Sequence, residues 1–425
     1  MAETHPETVI ELQERGILLV EDGNHGASRP RPADFVDKGV AFIRAADMDN
    51  GRVLFDSASK INDRALRRIT KGIGAPGDVL LSHKGTVGKV ALVPMNAPPF
   101  VCSPQTTFWR SLDTDVLDRK YLYALLRSPG FQRELVTRQG ETDMAPYVSL
   151  TTQRTLTVPL PSIEEQRRVV GVLGPLDDKI ELNYQMNKTL EAMTKAIFHH
   201  WFVDFEFPAG NKPYKSSGGE MVTSGELDKE IPKGWEVKPI DEIAEFLNGL
   251  ALQNFPPESE DEFLPVIKIR ELRHGVSESS DKASPKIPKE YVVDDGDVLF
   301  SWSASLEVML WTSGTGALNQ HLFKVKSANF PKWFYYHWIL QHLQEYRHIA
   351  EGKATTMGHI QRHHLSSSLV LVPDESTLRK MDHIQGPIVE KMIEIGVESR
   401  TLSHIRDALL PKLMSGKIRV PVEVR

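Results

Sequence analysis

The chain holds a single cysteine, Cys102, in 425 residues. No disulfide can form within it, and a cysteine-built zinc site is excluded. Long apolar runs are also missing. The runs at 17–20 and 369–372 are among the longest, far short of the roughly 20 residues that span a bilayer. The opening MAETHPETVIELQERG lacks the basic stretch and apolar core of a secretory signal. Positive charge is not in excess: 51 Lys+Arg face 57 Asp+Glu. That balance excludes a protein that holds nucleic acid by bulk charge alone. Low-complexity segments are absent too, and 40% hydrophobic with 25% charged residues is an ordinary globular composition. A reducing cytoplasm with no membrane contact is the expected home, and the length predicts two to three domains.

What the sequence does contain is itself, twice. GDVLLSHKGTVGKV at 77–90 meets GDVLFSWSASLEVM at 296–309, an offset of 219, and KYLYALL at 120–126 meets KWFYYHWI at 332–339, an offset of 212. The 212 register then holds from 157–183 against 369–395 and carries Thr189-Leu190 onto Thr401-Leu402. The fronts agree more loosely, Ile43-Arg44 and Ile269-Arg270 differing by 226. A period above 200 residues is a duplicated domain pair, too long for a solenoid repeat. Each front reads as strand-rich, with β-branched runs at 40–43, 79–81, 87–93 and 266–269 between glycine, proline and asparagine. Helix-like stretches lie at 117–137 and 333–350. The segment 207–234, rich in Gly, Pro, Ser and Lys, reads as the boundary loop between halves. The expected division is 1–161 and 235–373 as globular heads, 162–206 and 374–420 as helical spacers, and 207–234 as linker.

Each spacer shows helical periodicity. Ser162 with Glu165 fits a capping box; Asp374 can cap the second helix, but Thr377 in place of the glutamate predicts a weaker cap. Gly174-Pro175 should break the first helix and start a longer one. That longer helix carries the stripe Leu176, Ile180, Asn183, Asn187, Leu190, Thr194, Ile197, Trp201, and the 212 offset reproduces it as Ile388, Met392, Ile395, Ser399, Leu402, Arg406, Leu409, Leu413. Two amphipathic helices packed on their own domains would also show such stripes. Some four heptads with different polar members favour an antiparallel coiled-coil pair joining two heads. Asn183 or Asn187 in the seam would cost stability and fix register. A helix over 175–203 would be roughly 43 Å long. The two heads would then lie roughly one DNA turn apart, as a reader of separated half-sites requires.

At these residues the chain resembles the DNA-specificity subunit of type I restriction-modification enzymes. The likeness rests on the GDVL-x-S-x(2)-GT-x-G loop at 77–88, VPLPSIEEQRRVV at 158–170, and LDDKIELNYQMNKTLEAM at 176–193 leading to WFVDF. In the second half it rests on IPKGWEVKPIDEIA at 231–244 and RTLSHIRDALLPKLMSGKIRV at 400–420. The resemblance covers nearly the whole chain. It implies an α+β fold of two tandem, similar α/β target-recognition domains, each followed by a long helix. It also implies that each head reads half of a gapped DNA target and that the helices set the gap. On this likeness the chain has no chemistry and no cofactor of its own. Two modification (methyltransferase) subunits and two restriction subunits would dock on it and bring AdoMet, ATP and Mg. The second half departs from the loop pattern: Trp302-Ser303-Ala304-Ser305-Leu306-Glu307 replaces His83-Lys84-Gly85-Thr86-Val87-Gly88. One-to-one transfer of loop contacts is therefore in doubt, as fits heads that read different bases.

Several motifs suggest other chemistry and fail on context. GIGAPG at 72–77 is followed by a strand pattern where a dinucleotide loop needs a helix. NAPPF at 96–100 has one residue too many for an adenine-methyltransferase motif, with no glycine-rich AdoMet loop before it. His359, His363 and His364 lack the carboxylate partner of a zinc helix, and GTVGK at 85–89 is too short for a Walker loop.

Candidate DNA contacts come from residue type and loop position. Lys60, Arg64, Arg67, Arg68 and Lys71 face one acid, Asp63, over 60–71; they form either a phosphate-facing patch or a solvated helix face. Asn24, His25, Arg29 and Arg31 lie on the glycine-containing stretch 22–32, and Arg44, Lys84 and Thr86 complete the first head. The second head offers Gln253, Asn254, Lys268, Arg270, Arg273, Ser303 and Lys353. The first 160 residues hold 20 Lys+Arg against 19 Asp+Glu, so the chain alone should bind DNA poorly and partners should supply backbone grip. A stand-alone bipartite methylation system, or a scaffold whose heads bind protein, are the competing readings; a self-contained methyltransferase lacks its motifs.

Overall fold

The computed structural model describes residues 6–139, 146–303, 305–352 and 358–420. They form two compact units, Met1–Asp178 with Ser403–Arg425, and Lys179–Leu402. Both borders cut through long helices, so the compact units do not follow the heads and spacers expected from sequence.

In the first unit a four-stranded antiparallel sheet runs in the order Leu18–Asp22, Thr106–Ser111, Val79–Ser82, Val90–Leu92. A second sheet contains Phe35–Val36, Val40–Ile43, Lys60–Ile61 and Phe100–Cys102, with Phe100–Cys102 parallel to Val40–Ile43. The strand Val79–Ser82 is an unbroken apolar run because both its faces are covered. Val79 and Leu81 join Trp109 and Phe131 in one core, while Leu80 joins Phe100 and Phe108 in another.

The second unit repeats this order: Glu245–Asn248, Leu322–Lys326, Val298–Ser301, Val308–Leu310. A parallel pair, Leu264–Ile267 with Gly316–Leu318, stands where the first unit has its own. Val298 and Phe300 face one core and Leu299 the other, matching Val79, Leu81 and Leu80 at the 219 offset. A short antiparallel pair closes each head, Glu7–Thr8 with Thr157–Val158 and Glu236–Pro239 with Leu369–Val372.

Local chemistry modifies three expectations. The helix expected over 117–137 is two, Arg119–Arg127 and Pro129–Thr137. Ser128 caps the second by accepting the Phe131 N–H, and Pro129 sits where a helix begins most easily. The segment 207–234 is no open loop: Pro208–Ala209 pairs with Lys212–Pro213, and Met221–Ser224 with Lys229–Pro232. Phe207 stacks on Tyr214 at 4.5 Å and packs against Trp235, so these hairpins belong to the second core. The Gly174-Pro175 pair does not interrupt its helix either. Ile163–Phe202 is continuous with Pro175 inside it, and Glu375–Met414 matches it at an offset of 212, including Gly386-Pro387. Proline removes one ladder bond and crowds the preceding turn, a cost that packing must offset. The burial of Leu173 against Ala124, Leu410 and Leu413 holds the helix through that point.

Within the second unit the two long helices run antiparallel. Asn183 Nδ2 donates to Glu398 Oε2 at 2.8 Å, Asn187 Nδ2 to the Met392 carbonyl at 3.2 Å, and Gln385 Nε2 to the Thr194 carbonyl at 3.0 Å. Met392 and Ile395 are buried beside these polar pairs, and Ile180, Leu190, Ile388 and Leu402 are half-buried. These donor bonds form in one register and are lost on a slip, while the amide oxygens of Asn183, Asn187 and Gln385 stay buried without a partner among the described residues. Within the first unit Asp177 accepts from Arg127 at 3.2 Å and from Arg406 at 3.1 Å. Leu176 and Leu409 are half-buried there, and Leu413 enters the cluster with Ala124. The stripes therefore end in the heads: Ile197 and Trp201 pack into the second head's aromatic core.

The caps reverse the expected order of strength. Ser162 Oγ accepts the Glu165 N–H at 3.3 Å. Asp374 Oδ1 accepts the N–H groups of Ser376 and Thr377 at 3.1 and 3.0 Å, and both hydroxyls also donate to this carboxylate. Burial works against the Asp374 charge, but these hydrogen bonds outweigh it and lower its pKa. The carboxylate's contribution is thus complete above the ordinary aspartate value near pH 4 and is lost as pH falls through the lower folded value. Asp374→Ala is expected to cost about 1 kcal/mol at pH 7. The gap in Tm from the unsubstituted protein should narrow as the pH is taken below about 4; a gap unchanged between pH 7 and pH 3 would show that the cap is not electrostatic.

Candidate nucleic-acid interface

In the first head, Asn24 points inward. Its Nδ2 donates to the Lys71 carbonyl at 2.6 Å, and its Oδ1 accepts from the Thr70 N–H and hydroxyl at 3.2 and 3.1 Å. It fixes the 22–25 and 70–71 loops to each other, a role that residue type alone cannot reveal. His25 is exposed, with Nε2 3.0 Å from Asp22 Oδ2. Arg29, Arg31, Arg64, Arg67 and Lys71 are exposed. Asp34 receives the Arg31 N–H and the Arg68 guanidinium; the amide chiefly, and the guanidinium after it, lower its pKa. Arg44 is half-buried on Asp47 and Ser59, and Lys60 reaches the Asp56 carbonyl. The basic cluster over 60–71 therefore divides into exposed cations and locally engaged ones.

Lys84 and Thr86 are exposed on the glycine turn, where Gly85 and Gly88 take φ of 78° and 96°. Only glycine adopts these angles without strain. Lys84 bridges in backbone to Tyr147, and its ammonium lies 5.5 Å from that ring's centre. His83 beneath them is buried, with Nδ1 2.9 Å from the Val148 carbonyl. Burial lowers its pKa although that carbonyl works the other way, so the ring is neutral at pH 7.

In the second head Gln253 and Asn254 are exposed in a short 3-10 turn. Three of the four cations expected to face DNA already have partners: Lys268 pairs with Asp281, Arg270 with Glu271, and Arg273 with Glu307. Asp281 and Glu307 are distant in sequence from the cations they neutralise, so only folding brings them together. Ser303 is buried with Oγ 3.1 Å from His321 Nδ1. Lys353 lies outside the described residues.

The two heads superimpose one locus bond for bond. The His83 N–H donates to the Gln105 carbonyl and the Trp302 N–H to the His321 carbonyl. The Val148 N–H returns to His83 and the Ile360 N–H to Trp302. Lys84 bridges to Tyr147 as Ser303 bridges to His359. Matching backbone contacts thus carry Lys84, Gln105 and Tyr147 in one head, and Ser303, His321 and His359 in the other. Trp302 Nε1 also donates to Asn248 Oδ1 at 2.9 Å and to the Gln320 carbonyl at 3.1 Å. Of these, Gln105, Tyr147, Asn248, Gln320 and His321 escaped the sequence reading. Their offsets, 216 for Gln105 and His321 and 212 for Tyr147 and His359, drift from the 219 of the GDVL strands, so only the folded backbone pairs them.

Among the described residues no group of three His, Cys, Asp or Glu side chains is arranged to hold a metal. No described helix is long and apolar enough to cross a membrane. Gly72 and Gly77 take positive φ, and the second leads into a strand, as the reading of GIGAPG as a turn requires.

Two segments, residues 26–192 and 232–396, match the type I restriction modification DNA specificity domain family. The chain is 28% identical over 394 residues to the type I restriction enzyme MjaIX specificity subunit of Methanocaldococcus jannaschii, covering 90% of this chain and 87% of that protein. It is 23% identical to the HindI specificity subunit of Haemophilus influenzae, covering 89% and 94%. The crystal structure of the type I restriction-modification system S subunit from M. genitalium aligns over 97% of both chains, with a TM-score of 0.52 at 14% identity, and so shares the fold. With a matching segment in each half, together spanning most of its length, the chain belongs to the type I restriction modification DNA specificity domain family.

Proposed function

We propose that this chain is the non-catalytic specificity subunit of a type I restriction-modification complex. Each head reads one block of a gapped duplex DNA target, and the paired helices fix the gap. Modification subunits dock on the chain and carry AdoMet, and restriction subunits bring ATP and Mg; the complex works on DNA in the cytoplasm. The observation that carries this reading is the duplicated locus, one backbone frame presenting two different sets of polar side chains. A protein that bound one ligand twice would repeat the side chains as well as the frame.

Docking of modification subunits is supported by Leu182, Met186 and Met193, exposed along the central helix at spacings that keep them on one face. The near-neutral first head and a second head with 13 Lys+Arg against 18 Asp+Glu over 235–373 leave few phosphates to be neutralised. The isolated chain should accordingly bind DNA weakly. The test is selection of random duplex DNA by the chain co-purified with its modification subunit, followed by sequencing. Two short blocks with a fixed unspecified gap are expected. No enrichment from an intact complex would favour a protein-binding scaffold, and one ungapped block would remove the spacer role of the helices.

A further inference from the structure

The backbone frame around the duplicated locus is common to both heads. At this locus the side chains on the shared frame change completely. Lys84 gives way to Ser303, Gln105 to His321 and Tyr147 to His359, while Gln320 and Asn248 bring amides against Trp302 and His321.

Resting on the reading of the chain as a gapped-DNA reader, we propose that base identity in each block is decided here, by opposite chemistry in the two heads. The first head reads with a cation: Lys84 and Gln105 are both exposed, on the segments that extend the paired strands Val79–Ser82 and Thr106–Ser111. Lysine suits the O6 and N7 acceptors of guanine, and glutamine the N6–N7 edge of adenine. The Lys84 ammonium lies 5.5 Å from the centre of the Tyr147 ring, a cation–π contact that orients it. The second head carries no lysine or arginine among the locus residues Trp302, Ser303, Gln320, His321 and His359. Ser303 Oγ fixes the His321 ring at 3.1 Å, and the Gln320 amide lies 3.5 Å from the other ring nitrogen. Trp302, anchored to Asn248, forms the wall behind them. The nearby Arg273 is tied to Glu307 and Arg347 to the Leu306 carbonyl, so recognition in this head is assigned to the Ser303, Gln320 and His321 side chains.

The experiment compares the full chain with its modification subunit and the variants Lys84→Ala, Gln105→Ala, Gln320→Ala and Ser303→Ala in the same random-duplex selection at two salt concentrations. Lys84→Ala and Gln105→Ala should each relax preference at one base pair of one block, roughly ten- to a hundred-fold, with the other block intact. Gln320→Ala and Ser303→Ala should do the same in the other block only. Ser303 is buried, so should its variant fail to fold, half-exposed Gln320 decides the second head. If the unsubstituted complex selects two blocks and the variants select them unchanged, the locus is wrong while the gapped reading stands. If Lys84→Ala weakens all sequences alike and flattens the salt dependence, Lys84 is a phosphate contact and the assignment is overturned. If the unsubstituted complex selects nothing, the gapped reading itself fails.

Discussion

Phe202→Ala is expected to destabilise the second unit by about 3–5 kcal/mol, the cost of emptying a large buried aromatic site. Phe202 is the last residue of the central helix and 1% exposed. Its ring stacks on Phe198 at 4.6 Å and meets Trp235 at 5.3 Å, Trp338 at 5.5 Å and Phe334 at 5.7 Å. The surrounding rings come from the central helix, the strand Glu236–Pro239 border and the helix Lys332–Glu351, so no single element can collapse into the space. Six of the seven tryptophans, all but Trp109, lie in this unit. Tryptophan fluorescence therefore reports its unfolding, and the expected fall in midpoint is roughly 10 °C. A fall below about 2 °C would show that the aromatic cluster does not hold the central helix to this head.

The paired substitutions Gly23→Ala and Gly249→Ala should each disable one head. A Cβ at Gly23 would lie 2.1 Å from the Cys102 carbonyl oxygen, and one at Gly249 would lie 2.3 Å from that of Asn319. Both obstructions are backbone, which cannot rotate away as a side chain can. Overpacking of this kind costs about 3 kcal/mol or more when nothing yields. Each glycine directly follows or closely borders the first strand of its antiparallel sheet, Leu18–Asp22 or Glu245–Asn248, and so sets the entry to the locus. In duplex selection Gly23→Ala is expected to lose one block and Gly249→Ala the other. Loss of both blocks from either change would mean that the heads do not read independently.

The duplication, the helical spacers and their common register were legible in the linear order of residues. Hydrophobic pattern is a local property: a short apolar run between turn residues made 79–81 read as a strand, and heptad spacing marked both long helices. The family resemblance arose from the same local patterns. Strand order, by contrast, depends on contacts between residues far apart in sequence, and so did the two hairpins inside 207–234. The continuity of the helix through Pro175 was hidden for the same reason, since packing of Leu173 against Leu410 and Leu413 outweighs a local propensity. The interface divided along this line. Exposed Arg29, Arg31 and Lys84 were readable as cations, but their availability was not. Asn24 faces inward to Thr70 and Lys71, and Lys268, Arg270 and Arg273 are neutralised by Asp281, Glu271 and Glu307. Sequence by itself determined which residue types and periodicities this protein has, because those are set one segment at a time. Only the tertiary structure decided which charges are free and which side chains share one locus, because Coulomb pairing and packing act through space.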